Sequence, residues 1–376
     1  MRTIFTADKI FTGTDWLPDH SIVVENEMIA DVLPMVSLPA NAVIARHHKM
    51  IAPAFIDAQI YGASGKLFAT YPTTDSLVKL FEHCVAGGTH YFLPTAATNT
   101  TEVFYKCIDA IKAYWEQNGK GVLGLHVEGP WINKLKRGAH TENLIHSPTV
   151  SEVKELLDYG KGVIKMITLA PEVCSKEVID LILANDIIIS AGHSNATFEE
   201  GINAFNNGIE TATHLFNAMS PLHHREPGLP AAVMQHVSVM SSIIPDGYHV
   251  DFEIISIAKK IMKERLFIIT DAVTETHEGL YPHQLAGDNT DSYRYESNGI
   301  LSGSAITMAK GVKNLVEKIG IELSEALRMA SLYPARLLGM SNRLGMIKKG
   351  YKADIVFLDE AFKCYLEICA RYSFLL

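Results

Sequence analysis

The chain has 376 residues, of which 48% are hydrophobic and 20% charged, and a formal net charge of −9 at neutral pH. That length exceeds an ordinary small domain and suits an α/β barrel with an accessory module; the composition is that of a globular protein, not of a disordered or low-complexity one. The acidic balance argues against nucleic acid or an anionic membrane surface as the main partner, and no apolar run is long enough to span a bilayer.

The first fifty residues are β-rich: TIFTADKIFTG and SIVVENEMIADVLP are short β-branched runs separated by polar turns. From Ile51 onward apolar runs alternate with amphipathic stretches. Eight strands are predicted, at Ile51–Ile60, Thr89–Thr95, Val122–Glu128, Val163–Leu169, Ile187–His193, Thr211–Phe216, Val237–Ile244 and Leu266–Asp271. Helices are predicted between most of them, among them Asp75–Ala86, Thr101–Glu116, Ser175–Ala184 and Thr197–Asn206, the last two led by a Ser or Thr suited to an N-cap. Strand–helix alternation of this kind predicts a parallel (β/α)8 barrel, with a doubly wound open sheet as the alternative that periodicity does not distinguish. Helical patterns at Ala305–Ile319 and Leu323–Leu338 follow, then ADIVFLD, a strand that would pair with the β-rich start in one small module. The expected organisation is residues 1–50 and 344–376 in that module and 51–343 in the barrel. The tail CYLEICARYSFLL has no assignable pattern.

The chemistry lies at strand ends. In a (β/α)8 barrel the catalytic groups sit on the C-terminal rim. Strand three ends in HVEGP with Glu128, strand five in SAGHSNAT with His193, strand six carries THLFNAM with His214, and strand eight ends in ITDA with Asp271. Two imidazoles and a carboxylate leave an open position on a tetrahedral ion, as a hydrolytic metal site needs. A nearby Asp can take a proton from water and deliver it to a leaving nitrogen. Singly, each residue reads as a salt-bridged, hydrogen-bonded or helix-capping group; the coincidence of four at matching strand ends favours a metal-dependent hydrolase. The five cysteines, Cys84, Cys107, Cys174, Cys364 and Cys369, form no CxxC pair and read as reduced thiols. With no signal-peptide core in MRTIFTADKIFTG, a cytoplasmic protein is expected.

The ordered set HVEGPW, LAPE, SAGHSNAT, THLFNAM, REPG, DGYHVD, TDA and LSGS, followed by MASLYPARLLG and GMIKKGYKADIV, resembles the N-acetylglucosamine-6-phosphate deacetylases of the amidohydrolase superfamily, from the N-terminal hairpin to about Asp359. The resemblance implies a (β/α)8 barrel with a small β-sandwich built from both chain ends, and removal of acetate from the sugar amide. It implies Glu128, His193 and His214 as ligands of one divalent ion, zinc first, with iron, cobalt or manganese as alternatives, and Asp271 as proton shuttle. His140 in KRGAH would polarise the carbonyl or hold the oxyanion beside Ala139. Asn217 and Ala218, the loop Asp246, Gly247, Tyr248 and His249, and the segment Leu301, Ser302 and Gly303 would contact the sugar phosphate. Arg225 would bind phosphate across a homodimer interface.

The chain departs from the superfamily at the end of strand one, where many members carry His-x-His for a second metal. Here Gln59 and Tyr61 stand there, so a mononuclear site is expected, with Gln59 a nearby hydrogen-bonding group that contacts substrate. Ala54 replaces a usual Gly, and Pro245 a usual small residue. Other readings are the galactosamine epimer as substrate, a cyclic amidase of the dihydroorotase kind, which the Gln59/Tyr61 pair opposes, and a sugar-phosphate-binding barrel without turnover.

Overall fold

The computed structural model describes residues 2–286, 294–297 and 299–365. The chain divides into two compact units, one formed by residues 1–57, 84–91 and 307–376 and the other by 58–83 and 92–306.

The first unit contains a six-stranded mixed sheet. β1 (Arg2–Phe11), β2 (Trp16–Glu25) and β3 (Met28–Pro34) form an antiparallel meander, and β4 (Ile44–Pro53) runs parallel to β1. The late strand ADIVFLD lies where the pairing expectation put it: its Ile355–Leu358 segment runs antiparallel to β4, with Ile355 opposite Pro53. These strands bring Phe5, Ala7, Ile10, Ile22, Ile51, Ile355 and Phe357 into one buried cluster. Cys364–Tyr365 adds an antiparallel edge pair. Residues 366–376, which hold Cys369 and most of the apolar tail, lie outside the described residues.

All eight expected barrel strands are present, seven of them shorter than their apolar runs and the second two residues longer. They are β5 (Phe55–Ile60), β6 (Thr89–Ala97), β7 (Leu125–Glu128), β8 (Ile164–Leu169), β9 (Ile188–Ala191), β10 (Thr211–Ala212), β11 (Met240–Ile243) and β12 (Leu266–Ile268). Each lies beside its successor in one sheet. The ring is closed by a parallel bridge between Ile60 and Ala272, with Asp271 N–H donating to the Gln59 carbonyl at 3.0 Å. A closed ring, not an open doubly wound sheet, is therefore the architecture. Every residue of β5, β7 and β9 is buried, as strands covered on both faces must be.

Two elements differ from the sequence pattern. The run Ile51–Ile60 is two strands, because the β4 ladder ends at Pro53 and Ala54 N–H turns to the Asp354 carbonyl at 3.0 Å. The run Leu323–Leu338 is two helices, Leu323–Ala330 and Leu332–Leu337, broken at Ser331, with Pro334 unable to donate a helical hydrogen bond. Ser175 and Thr197 cap their helices as expected, Thr197 in a reciprocal capping box with Glu200.

Candidate metal centre and active site

Four strand ends meet in one pocket. Glu128 is the last residue of β7; His193, His214 and Asp271 follow β9, β10 and β12 by two or three residues. All four are at least 93% buried and all line the same cavity of about 960 Å³, open solvent at its mouth included. His193 (φ 47°), His214 (φ 36°) and Asp271 (φ 53°) each sit in the left-handed region that non-glycine residues rarely enter. Backbone held in such a conformation at the turn out of three strands is the kind of strain that collects at functional sites.

Three nitrogen and oxygen atoms form a near-equilateral triangle. Glu128 Oε1 lies 3.2 Å from His214 Nε2 and 3.3 Å from His193 Nε2, and the two ring nitrogens are 3.2 Å apart. Donor atoms about 2.0–2.1 Å from a tetrahedral ion are about 3.3 Å from one another, so the triangle matches the face of a zinc-like coordination tetrahedron. The ligand chemistry fits as well. Burial lowers the pKa of His214, favouring the neutral imidazole a metal needs. The Lys136 carbonyl accepts from His193 Nδ1 at 2.9 Å, which leaves the Nε2 lone pair facing the triangle. Burial alone would raise the Glu128 carboxyl, but the hydrogen bonds of His140, His193 and His214 hold it well below the usual carboxylate range. A looser grouping, Glu128, His140 and His193 within 4.8 Å, also has ligand-like spacing. There His140 Nε2 approaches the other carboxylate oxygen, Oε2, at 3.3 Å, and its Nδ1 is engaged at 2.7 Å by Thr98 Oγ1. His140 therefore stands beside the triangle, not in it; burial, then the neighbouring His193, brings its pKa down to about 4.

The end of strand one supplies two donors. Gln59 Nε2 donates to Glu128 Oε1 at 2.9 Å, and the Tyr61 hydroxyl donates to Glu128 Oε2. Gln59 is buried and is not among the pocket's lining residues; Tyr61 lines the wall. Burial and the Glu128 charge push the Tyr61 phenol well above its ordinary pKa, so it stays a donor.

The remaining expected residues separate into two groups. Ala139, His140, Asn217, Ala218, His249, Leu301 and Ser302 line the pocket. Gly303 and the loop residues Asp246, Gly247 and Tyr248 do not. Asp246 uses Oδ1 for the Tyr248 and His249 N–H groups and Oδ2 for His249 Nδ1 at 2.5 Å, so it orients His249 and leaves that ring as the loop's one pocket group. Arg225 lies in the exposed segment 221–227, away from the lining. Tyr281, His283 and Thr98 were not among the expected site residues. Tyr281 and His283 line the pocket, and the Tyr281 hydroxyl donates to the Thr98 carbonyl at 2.5 Å. In GLYPHQL nothing marks a site, because Tyr281 is held by a contact distant in sequence, the bond of its hydroxyl to the Thr98 carbonyl.

Comparison with known proteins agrees with this geometry. The model of the amidohydrolase family matches residues 50–371, and that of the NagA composite domain matches residues 4–46. The chain belongs to the amidohydrolase family. This amidohydrolase is 34% identical over 353 residues to an N-acetylglucosamine-6-phosphate deacetylase of Haemophilus influenzae, with 92% of each chain covered. It is 31% identical to an N-acetylgalactosamine-6-phosphate deacetylase of Escherichia coli O157:H7, with 96% of each covered. Among solved structures, it superposes on an N-acetylglucosamine-6-phosphate deacetylase from Pasteurella multocida with a TM-score of 0.91 at 32% identity, covering 97% of both chains.

Proposed function

We propose that this amidohydrolase cleaves the acetamide of N-acetyl-D-glucosamine 6-phosphate, giving D-glucosamine 6-phosphate and acetate. The reading is carried by the 3.2–3.3 Å triangle of Glu128, His193 and His214 in a pocket that Asp271 also lines, taken with relatives that bear the deacetylase name. Glu128, His193 and His214 hold one divalent ion per subunit, zinc first, with iron, cobalt and manganese also compatible with two imidazoles and a carboxylate. When bound, such an ion supplies a Lewis acid for the amide carbonyl and acidifies water. Asp271 accepts the proton of the attacking water and returns it to the departing nitrogen. His140, oriented by Thr98, serves the acyl oxygen as its charge develops. Asn217, Ala218, His249, Leu301 and Ser302 hold the sugar. Gly303, Gly247 and Tyr248 shape the loops behind it, Asp246 positions His249, and Gln59 positions Glu128.

Arg225 is assigned to the phosphate of the neighbouring subunit's substrate in a homodimer, since its exposed loop supplies nothing to its own pocket and a guanidinium fork suits phosphate. Arg225→Ala then raises KM for the phosphorylated sugar and leaves the unphosphorylated one nearly unaffected; equal effects on both would remove it from the phosphate site. The described cysteines are free thiols, which supports a reducing, cytoplasmic setting.

The central test is acetate release from N-acetylglucosamine 6-phosphate by the purified, metal-loaded protein. Release no faster than that of Glu128→Gln overturns the reading. The galactosamine-named relative gives the epimer a specific claim; kcat/KM on the two sugars decides between them.

A further inference from the structure

Strands three, five, six and eight of the barrel deliver Glu128, His193, His214 and Asp271 to the pocket. The fourth, β8, runs instead into a single turn, Pro171–Val173, that carries Glu172 of the LAPE motif. Glu172 is not a lining residue. Its carboxylate collects three protein donors: the Asn195 N–H at 2.6 Å and Asn133 Nδ2 at 2.9 Å on Oε1, and the Ser194 hydroxyl at 2.7 Å on Oε2. Ser194 and Asn195 are the two residues that follow His193. Asn133 reaches the same histidine from the other side, its N–H donating to the His193 carbonyl at 2.9 Å. Asn133 also caps the turn Lys134–Lys136, and the Lys136 carbonyl at the end of that turn receives His193 Nδ1–H at 2.9 Å.

We propose that Glu172 is a positioning residue for the metal centre, a hub that locks the backbone of His193 and, through Asn133 and the Lys136 carbonyl, the ring tautomer that turns Nε2 toward Glu128 and His214. The inference rests on the reading of Glu128, His193 and His214 as ligands. Its physical basis is threefold. A carbonyl can only accept, so Lys136 fixes the hydrogen on Nδ1 and the lone pair on Nε2. A residue at φ 47° keeps that conformation only where its neighbours over-determine it, and Glu172 binds both residues after it. A glutamine there loses the charge and either turns its NH2 toward the two N–H donors on Oε1, setting donor against donor, or turns it toward Ser194, whose hydroxyl then has to accept where it had donated.

The test compares wild-type protein, Glu172→Gln and Glu128→Gln, stripped of metal and titrated with Co²⁺ against a competing chelator. Affinity, the visible d–d spectrum of the cobalt-saturated protein and the melting temperature of the metal-free protein are read together. The expected result is a 10–100-fold loss of affinity in Glu172→Gln with altered d–d bands at saturation, and loss of binding in Glu128→Gln. A Glu172→Gln protein with wild-type affinity and spectrum, even if it melts earlier, overturns the hub while leaving the ligand triad standing. Wild-type binding by Glu128→Gln overturns the triad and the hub with it. Should Glu172→Gln fail to fold, Asn133→Ala and Ser194→Ala each remove one bond to the same carboxylate, and wild-type affinity in both overturns the proposal.

Discussion

At the scale of single residues, the site separates ligands from the groups that serve them. Asp271 is a pocket group whose backbone is pinned on both sides, its N–H to Gln59 and its carbonyl to Ser304, each at 3.0 Å. Replacing its carboxylate by an amide removes the proton carrier and keeps the shape. Asp271→Asn is therefore expected to lower kcat by 10²-fold or more, in the range typical of a lost general acid–base group, with metal content measured by elemental analysis close to wild type. A metal-free Asp271→Asn protein would make Asp271 a ligand. Tyr61 donates to the carboxylate oxygen that the triangle leaves over. Tyr61→Phe removes one hydrogen bond to a buried charge, a change of about 1.5–3 kcal/mol, so the metal-free protein melts earlier. Metal affinity should fall far less than in Glu128→Gln; an equal fall would count the phenol among the ligands.

At the scale of elements, the strands are held in register beneath the triad by a directed chain of side chains. His126 Nδ1 donates to the Ala58 carbonyl at 3.1 Å, so its Nε2 accepts from Thr168 Oγ1 at 2.8 Å. Thr168 then accepts from Thr213 at 2.7 Å, and Thr213 from Ser190 at 2.5 Å. One carbonyl thus sets the polarity of four side chains belonging to β7, β8, β9 and the end of β10. The chain passes immediately under the ligands, since Thr213 precedes His214 and His126 stands two residues before Glu128. Thr213→Val keeps the volume and strands the buried Ser190 hydroxyl without its acceptor. The expected cost is about 1–3 kcal/mol, seen as a lower denaturant midpoint of the metal-free protein and largely restored by Thr213→Ser. A midpoint equal to wild type in Thr213→Val would mean the chain contributes nothing to the barrel.

At the scale of the whole molecule, buried histidines couple stability to pH. Burial, as the largest cause, brings His126 and His140 down to about 4 from an ordinary value of 6.5. Between those values the unfolded chain binds protons that the folded one excludes, so stability rises with pH, by up to about 1.4 kcal/mol per pH unit for each group. Acidification of the metal-free protein from pH 7 to 5 should therefore lower the denaturant midpoint steadily. The depressed carboxyl of Glu128 adds a further loss below its ordinary value near 4.5. A midpoint that stays flat from pH 7 to 5 would show that these rings are protonated in the folded protein. Among the described residues no helix is long and apolar enough to cross a membrane.

The eight-strand order and the four strand-end residues Glu128, His193, His214 and Asp271 were legible in the amino-acid order alone. Apolar periodicity and barrel topology are local consequences of side-chain type, and a parallel barrel puts every strand's C-terminal end on one rim. The late strand that returns to the N-terminal sheet was legible in the same way. Everything that depends on distances between segments far apart in the chain needed the folded molecule. Gln59, legible as a nearby hydrogen-bonding group but without a partner, and Tyr61, legible as a missing ligand, became two donors on one carboxylate. Tyr281 and His283 entered the pocket through a hairpin without a pattern of its own. Glu172 was visible as part of a motif, but its three bonds to Asn133, Ser194 and Asn195 exist only once the ends of three strands lie side by side. A hydrogen bond depends on separations of tenths of an ångström and on the direction of a lone pair, and no spacing along the chain encodes either.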